Sequence, residues 1–538
     1  MIDLLQSTMS GPAPRNASVP EDLCSLPLPE LYQLGKRLQD EADFRAALEV
    51  MQEARRRLPQ HQAVLLDLIK VHQKLRQDES LRECVHAAWE LLPGNPAGLD
   101  HLGEELQSIN EHSLAFKTFA MLQESSIPEV RAVGRARETA LHLRLGRREQ
   151  ASAACADACA LCPGIPEVRS AKALLLQETD PEEAVGILAE LAQPKAGVPL
   201  PFTVACGHRL AVVCDKLGRH DEAIAALNQA KELECRHLPV ISQLRAQRRE
   251  WREWHSGLAD FTSVQGREWR EQAAARPGPD CAFLLGHPRS GTTLLEQILD
   301  AHPRVRSVEE TDIFANLVAR DLIKEHGELP LAPDFPRFLD QLSSVRLGEL
   351  RERYLAEMAL EAGHPSAGTI LLDKNPGLTI VAALIARVAP QARIIVALRD
   401  PRDVCLSAFF QANHRNAWSS NWLTLEETVN QYVFTMDLWL QTRDKLAQPW
   451  LEVRYEDVIS DPVTVGTQVT RFLGLDWHEA QIDPAAHARG KIVRSPTHAD
   501  VIQPIYQHAA GRWHRYEKHL VPYQETLAPY CRAFGYAD

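Results

Sequence analysis

One short run near the middle of this 538-residue chain has the residue types and spacing to hold an anion. Gly286 and Gly291 stand five apart, His287, Pro288, Arg289 and Ser290 lie between them, and Thr292 and Thr293 follow. Residues 282–286 are an apolar run that predicts a buried strand, and Leu294, Leu295, Ile298 and Leu299 recur at helical spacing over 292–301. A strand, a tight turn and a helix N-terminus together make a nest of backbone N–H groups suited to a phosphate. The spacing is that of a nucleoside-triphosphate loop, G-x-x-x-x-G-K-[ST], except that Thr292 stands where the lysine should be. In such loops the lysine reaches the β- and γ-phosphates and the next hydroxyl binds magnesium. Here the cation is Arg289, two residues before Gly291, so the loop is expected to hold a less charged anionic tail. Taken alone, the turn also admits a reading without any ligand.

The elements that must position this turn can be read on either side of it. Further short strands are predicted at 305–308, 369–372, 393–398 and 450–454, with helices at 376–388, 402–411 and 462–473 and a helix-rich insertion ending near 363. Strands alternating with helices predict a parallel sheet covered on both faces, and ligands of such sheets sit beyond the carboxyl ends of the strands. Those ends deliver Arg289 and Ser290, Glu309 and Glu310, Lys374, Arg399 with Arg402, and Tyr455. Three of the five ends supply cations, which suits a small anionic ligand.

The half before this domain has a different texture. Residues 1–27 lack apolar periodicity and are expected to be a mobile tail. From 28 to 250 helices follow one another, and Pro59, Pro93, Pro128 and Pro163 fall 34, 35 and 35 residues apart, each expected to close a helical segment. Ala47, Ala54 and Pro59 share their spacing with Ala151, Ala158 and Pro163, and Ala223 and Ala230 repeat its first interval. A 34-residue period with small residues where two helices cross is the tetratricopeptide signature, and five or six units fit. Such units stack into a solenoid because none buries its apolar face alone, and a protein or peptide partner is expected on it. Cys155, Cys159 and Cys162 have the spacing of an iron–sulfur motif, but they share one helix face and read as packing. Residues 251–279, with Trp251 and Trp254, form a connector, and 280–538 the α/β domain.

Composition narrows the function. A net charge of −13 argues against a general nucleic-acid binder but permits a local basic pocket. No run of 18 apolar residues exists, so no membrane span is expected. Residues 1–6 show neither a basic start nor an apolar core, so no secretory signal is expected. Eleven cysteines without framework spacing fit reduced thiols in a cytoplasm.

The motif PRSGTT at 288–293 resembles the 5′-phosphosulfate loop of sulfotransferases, whose donor is 3′-phosphoadenosine-5′-phosphosulfate (PAPS). The continuation DAHP at 300–303 and EET at 309–311 is similar to tyrosylprotein sulfotransferases. With the repeats, the whole chain resembles bacterial tetratricopeptide-repeat sulfotransferases. The resemblance implies a helical solenoid followed by a P-loop-like α/β domain of the sulfotransferase fold, using PAPS and no metal. It implies that Arg289, Ser290, Gly291, Thr292 and Thr293 cradle the 5′-phosphosulfate. Glu310 matches the family's general base and Lys374 the lysine that neutralises the leaving oxygen. Glu309, His302 and His287 are rival bases. Burial among anions is expected to raise the pKa of Glu310 and strengthen it as a base. Arg399 and Ser407 match the 3′-phosphate segment, and Tyr455 is placed with the donor site. Gln503 stands where the family has a lysine, and the Gly-x-Trp of residues 511–513 is reduced to a faint match in which Arg512 is a substitute cation. The implied acceptor is a peptide tyrosine or related phenol, with a glycan or small-molecule hydroxyl as the alternative. A repeat scaffold carrying an inactive domain is a third reading. A small-molecule kinase or GTPase fails on Thr292 and the lack of an evident magnesium carboxylate.

Overall fold

The structure is a computed structural model. It describes residues 22–537 except 41–43, 76, 93, 110, 238–239, 275–280, 327–334, 413–417, 484–486 and 488–508. The expected N-terminal tail falls largely outside these residues, as do Pro93, Gln503 and the last residues of the connector, 275–279. The chain divides into two compact units, 1–198 and 199–538.

The first unit is a run of helical hairpins. Helices Leu28–Asp40, Gln62–Lys74, Pro96–Ser108, Pro128–Arg144 and Pro166–Leu176 each pair with the helix that follows. Ala47 and Ala54 are fully buried, as are Ala151 and Ala158, so small residues do sit where helices cross. Pro59 and Pro163 follow helix ends, but Pro128 opens its helix at the first position. An N–H there would have no intrahelical partner, so proline costs nothing and its fixed φ suits the helix. Cys159 and Cys162 pack against an apolar cluster of Ala132, Ala136, Ala158, Val168 and Ala171.

The second unit opens with a further hairpin, α1 (Leu200–Lys216) and α2 (His220–His237), and a third helix, α3 (Val240–Ser256). Then come β1 (Cys281–Gly286), α4 (Thr292–Asp300), β2 (Val305–Glu309), α5 (Ser344–Glu361), β3 (Ile370–Lys374), β4 (Arg393–Leu398), α6 (Pro401–Phe409), α7 (Leu425–Arg443) and β5 (Trp450–Arg454). The five strands form one parallel sheet in the order β2-β3-β1-β4-β5. Alternate residues of β1 feed different cores. Phe283 and Leu285 join Phe314, Tyr354, Tyr432 and Trp439 on one face. Ala282 and Leu284 join Leu295, Ile298, Leu299 and Val469 on the other. Burial on both faces explains why these strands read as continuous apolar runs. The 19-residue helix α7 has no counterpart in the strand–helix alternation above; Thr428, Gln431, Tyr432, Thr435 and Trp439 form a buried face that is too polar to stand out as a periodic stripe.

The hairpin α1/α2 is fastened to the sheet unit by specific bonds. Lys231, almost wholly buried on α2, donates to the Trp422 carbonyl and lies 4.5 Å from the Phe409 ring. On α3, Arg245 and Arg248 both bind the carboxylate of Glu427. Glu427 is held below its usual range despite burial, because these two guanidiniums donate to it. Among the described residues no helix is long and apolar enough to cross a membrane.

Candidate active site

The turn after β1 is built on two glycines. Gly286 has φ 140° and a Cβ there would lie 2.5 Å from the Ala397 carbonyl oxygen, so β1 and β4 approach too closely for any side chain. Gly291 caps α4 with φ 87°, and a Cβ would lie 2.5 Å from the ring of Tyr455. Between them the Ser290 N–H donates to the His287 carbonyl, and Thr379 Oγ both accepts from Gly286 N and donates to Gly286 O. Ser290, Thr292 and Thr293 are all buried at the α4 N-terminus.

Backbone strain marks the site. Three described non-glycine residues have positive φ, and two of them are Arg289 (78°) and Glu310 (45°). Such conformations cost on the order of 1–3 kcal/mol and persist only where surroundings fix them. The Glu310 N–H donates to the Lys374 carbonyl at 2.8 Å, which fixes one. Arg289 is tied by its Nε, which donates to Ser407 Oγ at 3.1 Å.

Strand alternation then explains where the charges go. Lys374 ends β3 beside Leu284 of β1 and Glu309 of β2, on the face covered by α4. Its Nζ is 2.7 Å from Glu310, 3.1 Å from Glu309 and 3.5 Å from Glu296, and the side chain has no exposed surface. Burial works against this ammonium, but the carboxylates of Glu310, Glu296 and Glu309 outweigh it and raise its pKa. The three acids differ in access: Glu296 is wholly buried, Glu309 nearly so, and Glu310 is 40% exposed. The burial expected of Glu310 therefore falls on its two neighbours, and Glu310 itself faces solvent at the strand end. Glu296 receives the Ser307 hydroxyl at 2.6 Å. Sequence reading missed it, although an acid inside the apolar run of α4 is the signal that could have found it.

Asp373, one residue earlier, faces the opposite side. It accepts from Tyr354 Oη at 2.8 Å, and burial pushes its pKa up to about 7. The rival histidines sit in closed settings. His302 has both ring nitrogens engaged, with the Asp476 carbonyl and the Arg304 N–H. His287 is fully buried, its Nδ1 meets the Pro288 carbonyl, and burial pushes its pKa down to about 4.

The second cationic centre follows β4. Arg399 donates to the carbonyls of Arg289 (3.2 Å) and Ala509 (2.6 Å), and its guanidinium lies 5.0 Å from the Tyr455 ring. Its buried Nε has no hydrogen-bond partner among the described residues. Arg399, Ser407 and Tyr455 thus meet the turn at Arg289 and Gly291, while Lys374 ends β3, the strand next to β1, and Glu310 follows β2, one strand further out. Arg402 turns elsewhere, pairing with Asp400 and lying over Trp513. Arg512 binds Asp215 and lies over Phe410. Among the described residues no group of three or more histidine, cysteine, aspartate or glutamate side chains could hold a metal ion.

A family model decides what kind of domain this is: the Sulfotransferase family matches residues 280–479. These residues form a sulfotransferase-family domain. An uncharacterized protein of Aquifex aeolicus is 27% identical over 359 residues, which are 64% of this chain and 44% of that protein. Protein-tyrosine sulfotransferase 1 of Danio rerio is 27% identical over 248 residues, 43% of this chain and 64% of the relative. This chain thus spans less than two thirds of the length of either relative. The sulfotransferase domain from the Synechococcus PCC 7002 olefin synthase aligns with a TM-score of 0.31 at 23% identity, covering 44% of this chain and 88% of that one. The sulfotransferase domain contains Arg289, Glu310, Lys374, Arg399, Ser407 and Tyr455, so every candidate residue lies inside the matched stretch.

Proposed function

We propose that this protein moves a sulfuryl group from PAPS to an acceptor hydroxyl, with a peptide tyrosine or related phenol as the acceptor. The single observation that carries the reading is the Lys374–Glu310 pair, 2.7 Å apart, with Lys374 at the end of β3 beside β1 and Glu310 just past β2. Sulfuryl transfer needs a cation at the leaving phosphate oxygen and a base for the acceptor hydroxyl, and this pair supplies one of each. Arg289, Ser290, Gly291, Thr292 and Thr293 hold the 5′-phosphosulfate through backbone N–H groups, hydroxyls and one guanidinium. Arg399, Ser407 and Tyr455 hold the 3′-phosphate end, where a guanidinium fork suits a phosphate bidentately.

Glu310 takes the acceptor proton as the acceptor oxygen–sulfur bond forms. The sulfur–oxygen bond to the 5′-phosphate breaks, and Lys374 neutralises the charge left there. Positioning and charge stabilisation carry the rate, and the assignment uses no metal ion. The relatives named protein-tyrosine sulfotransferase support tyrosine as the acceptor, and the helical hairpins support a peptide or protein as its carrier. All eleven cysteines are free thiols, which supports the cytoplasm as the compartment.

The test has two arms. Calorimetry should find adenosine 3′,5′-bisphosphate bound tighter than ATP, and tighter binding of ATP would refute the donor. Labelled PAPS offered with a tyrosine peptide, a glycan and a simple phenol should put label on the peptide and the phenol. Label on the glycan alone would overturn the acceptor, and no transfer to anything would favour an inactive scaffold.

A further inference from the structure

We propose that Asp215, on α1 and 184 residues before Arg399, is a positioning residue for the 3′-phosphate end of the donor site. The inference rests on the donor reading above and extends it to the helical hairpin. Both oxygens of Asp215 serve one short stretch of chain. Oδ1 accepts from Tyr516 Oη at 2.5 Å and Oδ2 accepts from Arg512 Nη2 at 2.8 Å. The Arg512 guanidinium and the Tyr516 ring also close on Phe410, at 4.2 Å and 5.6 Å, just past the end of α6. Tyr516 is fully buried, so this grip belongs to the core of the unit.

The same stretch is gripped from its other side by the site. Asp403 of α6 accepts from the backbone N–H groups of Gly511 (2.7 Å) and Trp513 (2.8 Å). Two residues before Gly511, the Ala509 carbonyl accepts from Arg399 Nη2 at 2.6 Å. Arg399 is therefore aimed by two carbonyls, one from the phosphate loop and one from a segment clamped between α1 and α6. Removing the Asp215 charge releases Arg512 and Tyr516 together, frees the outer side of the clamp, and lets the Ala509 carbonyl drift from Arg399. The hairpin itself stays docked, because Lys231 anchors it independently through Trp422 and Phe409.

Asp215→Asn in the full chain is the first variant, and Tyr516→Phe, which removes one bond and keeps the ring, is the second. Calorimetry with adenosine 3′,5′-bisphosphate and with adenosine 5′-phosphate reads the effect. In Asp215→Asn the bisphosphate should weaken about tenfold, as for loss of one charge-assisted hydrogen bond. The monophosphate should change by less than about threefold, and Tyr516→Phe should show a smaller shift in the same direction. Equal weakening of both ligands, or an unchanged ratio in both variants, would mean that Asp215 serves only the fold, and overturns the inference. A native chain that binds the bisphosphate no tighter than the monophosphate overturns the donor reading and this inference with it. A native preference that is undiminished in both variants overturns this inference alone.

Discussion

Lys374 is a charge that the fold has removed from water and surrounded with three carboxyl groups. An ammonium at that depth is tolerable only when paired, and breaking a buried pair costs about 3–5 kcal/mol. Of its three partners, Glu310 alone is open enough to turn toward an acceptor, while Glu296 and Glu309 stay behind to hold the ammonium. Glu310→Gln keeps the shape but cannot take a proton, so turnover should fall by roughly 10²–10⁴-fold while bisphosphate affinity changes little. Retained turnover in that variant, with Glu309→Gln inactive, would move the role one residue. A second residue-scale expectation concerns Asp373. Its folded-state pKa of about 7 lies above the ordinary carboxylate value of about 4, so the folded state binds the proton more tightly than the unfolded chain does. Its contribution to stability is therefore greatest at low pH and declines as pH rises through that window. Thermal unfolding of the native chain relative to Asp373→Asn should show the native chain losing ground by a few kcal/mol at most between pH 4 and 8, in order of magnitude. A pH-independent difference between the two would show that the buried carboxyl does not titrate there.

At the scale of elements, the site depends on how closely β1, β4 and the residue after β5 approach one another. Gly286 marks the approach of β1 to β4, and Gly291 the approach of the turn to Tyr455, where left-handed backbone and the ring leave no room for a methyl group. Gly291→Ala should cost roughly 1–2 kcal/mol from the backbone alone, before the displaced Tyr455 ring is counted. Because Tyr455 lies beneath Arg399, the damage should reach both ends of the donor site. Calorimetry should register weaker binding of both bisphosphate and monophosphate, in contrast to the selective loss expected at Asp215. Undiminished binding of either ligand would mean that the turn tolerates a side chain and is less tightly packed than its geometry implies.

For the molecule as a whole, the question is where the chain can be cut. All the residues assigned to chemistry lie after the connector, so a fragment 276–538 holds every one of them. That fragment nevertheless loses Lys231, Arg245, Arg248 and Asp215, and with them the partners of Trp422, Glu427, Arg512 and Tyr516. A fragment 199–538 keeps all of these bonds. We expect 199–538 to be soluble and to bind adenosine 3′,5′-bisphosphate as the full chain does, and 276–538 to aggregate or fail to bind. Equal binding by the two fragments would show that α1, α2 and α3 are not a buttress. If the hairpins of the first unit present a polymeric acceptor, 199–538 should keep activity on a small phenol and lose efficiency on the natural substrate, since a second attachment raises local concentration. Equal efficiency on both would remove the presentation role.

Local chemistry was legible in the residues themselves. The central strands β1, β3 and β4 appeared as apolar runs because they are buried on both faces, and the turn appeared because a Cβ at either of its end glycines would collide with a neighbour. The repeat period announced the hairpins because small residues must recur where helices cross. Arg289, Glu310, Lys374, Arg399 and Tyr455 could be singled out because each follows or ends a strand, and a parallel sheet brings such ends together. What no periodicity encodes is which distant groups meet. Glu296 and Glu309 join Glu310 around Lys374 only through strand register and the packing of α4 on one face. Asp373 parts company with Lys374 because adjacent strand residues point to opposite faces. Asp215 belongs to no motif, and its reach to Arg512 and Tyr516, 297 and 301 residues on, exists only in the folded chain. Local conformation follows from side-chain shape and burial pattern, which neighbours in sequence can set; partnership between charges follows from packing, which only the tertiary structure decides.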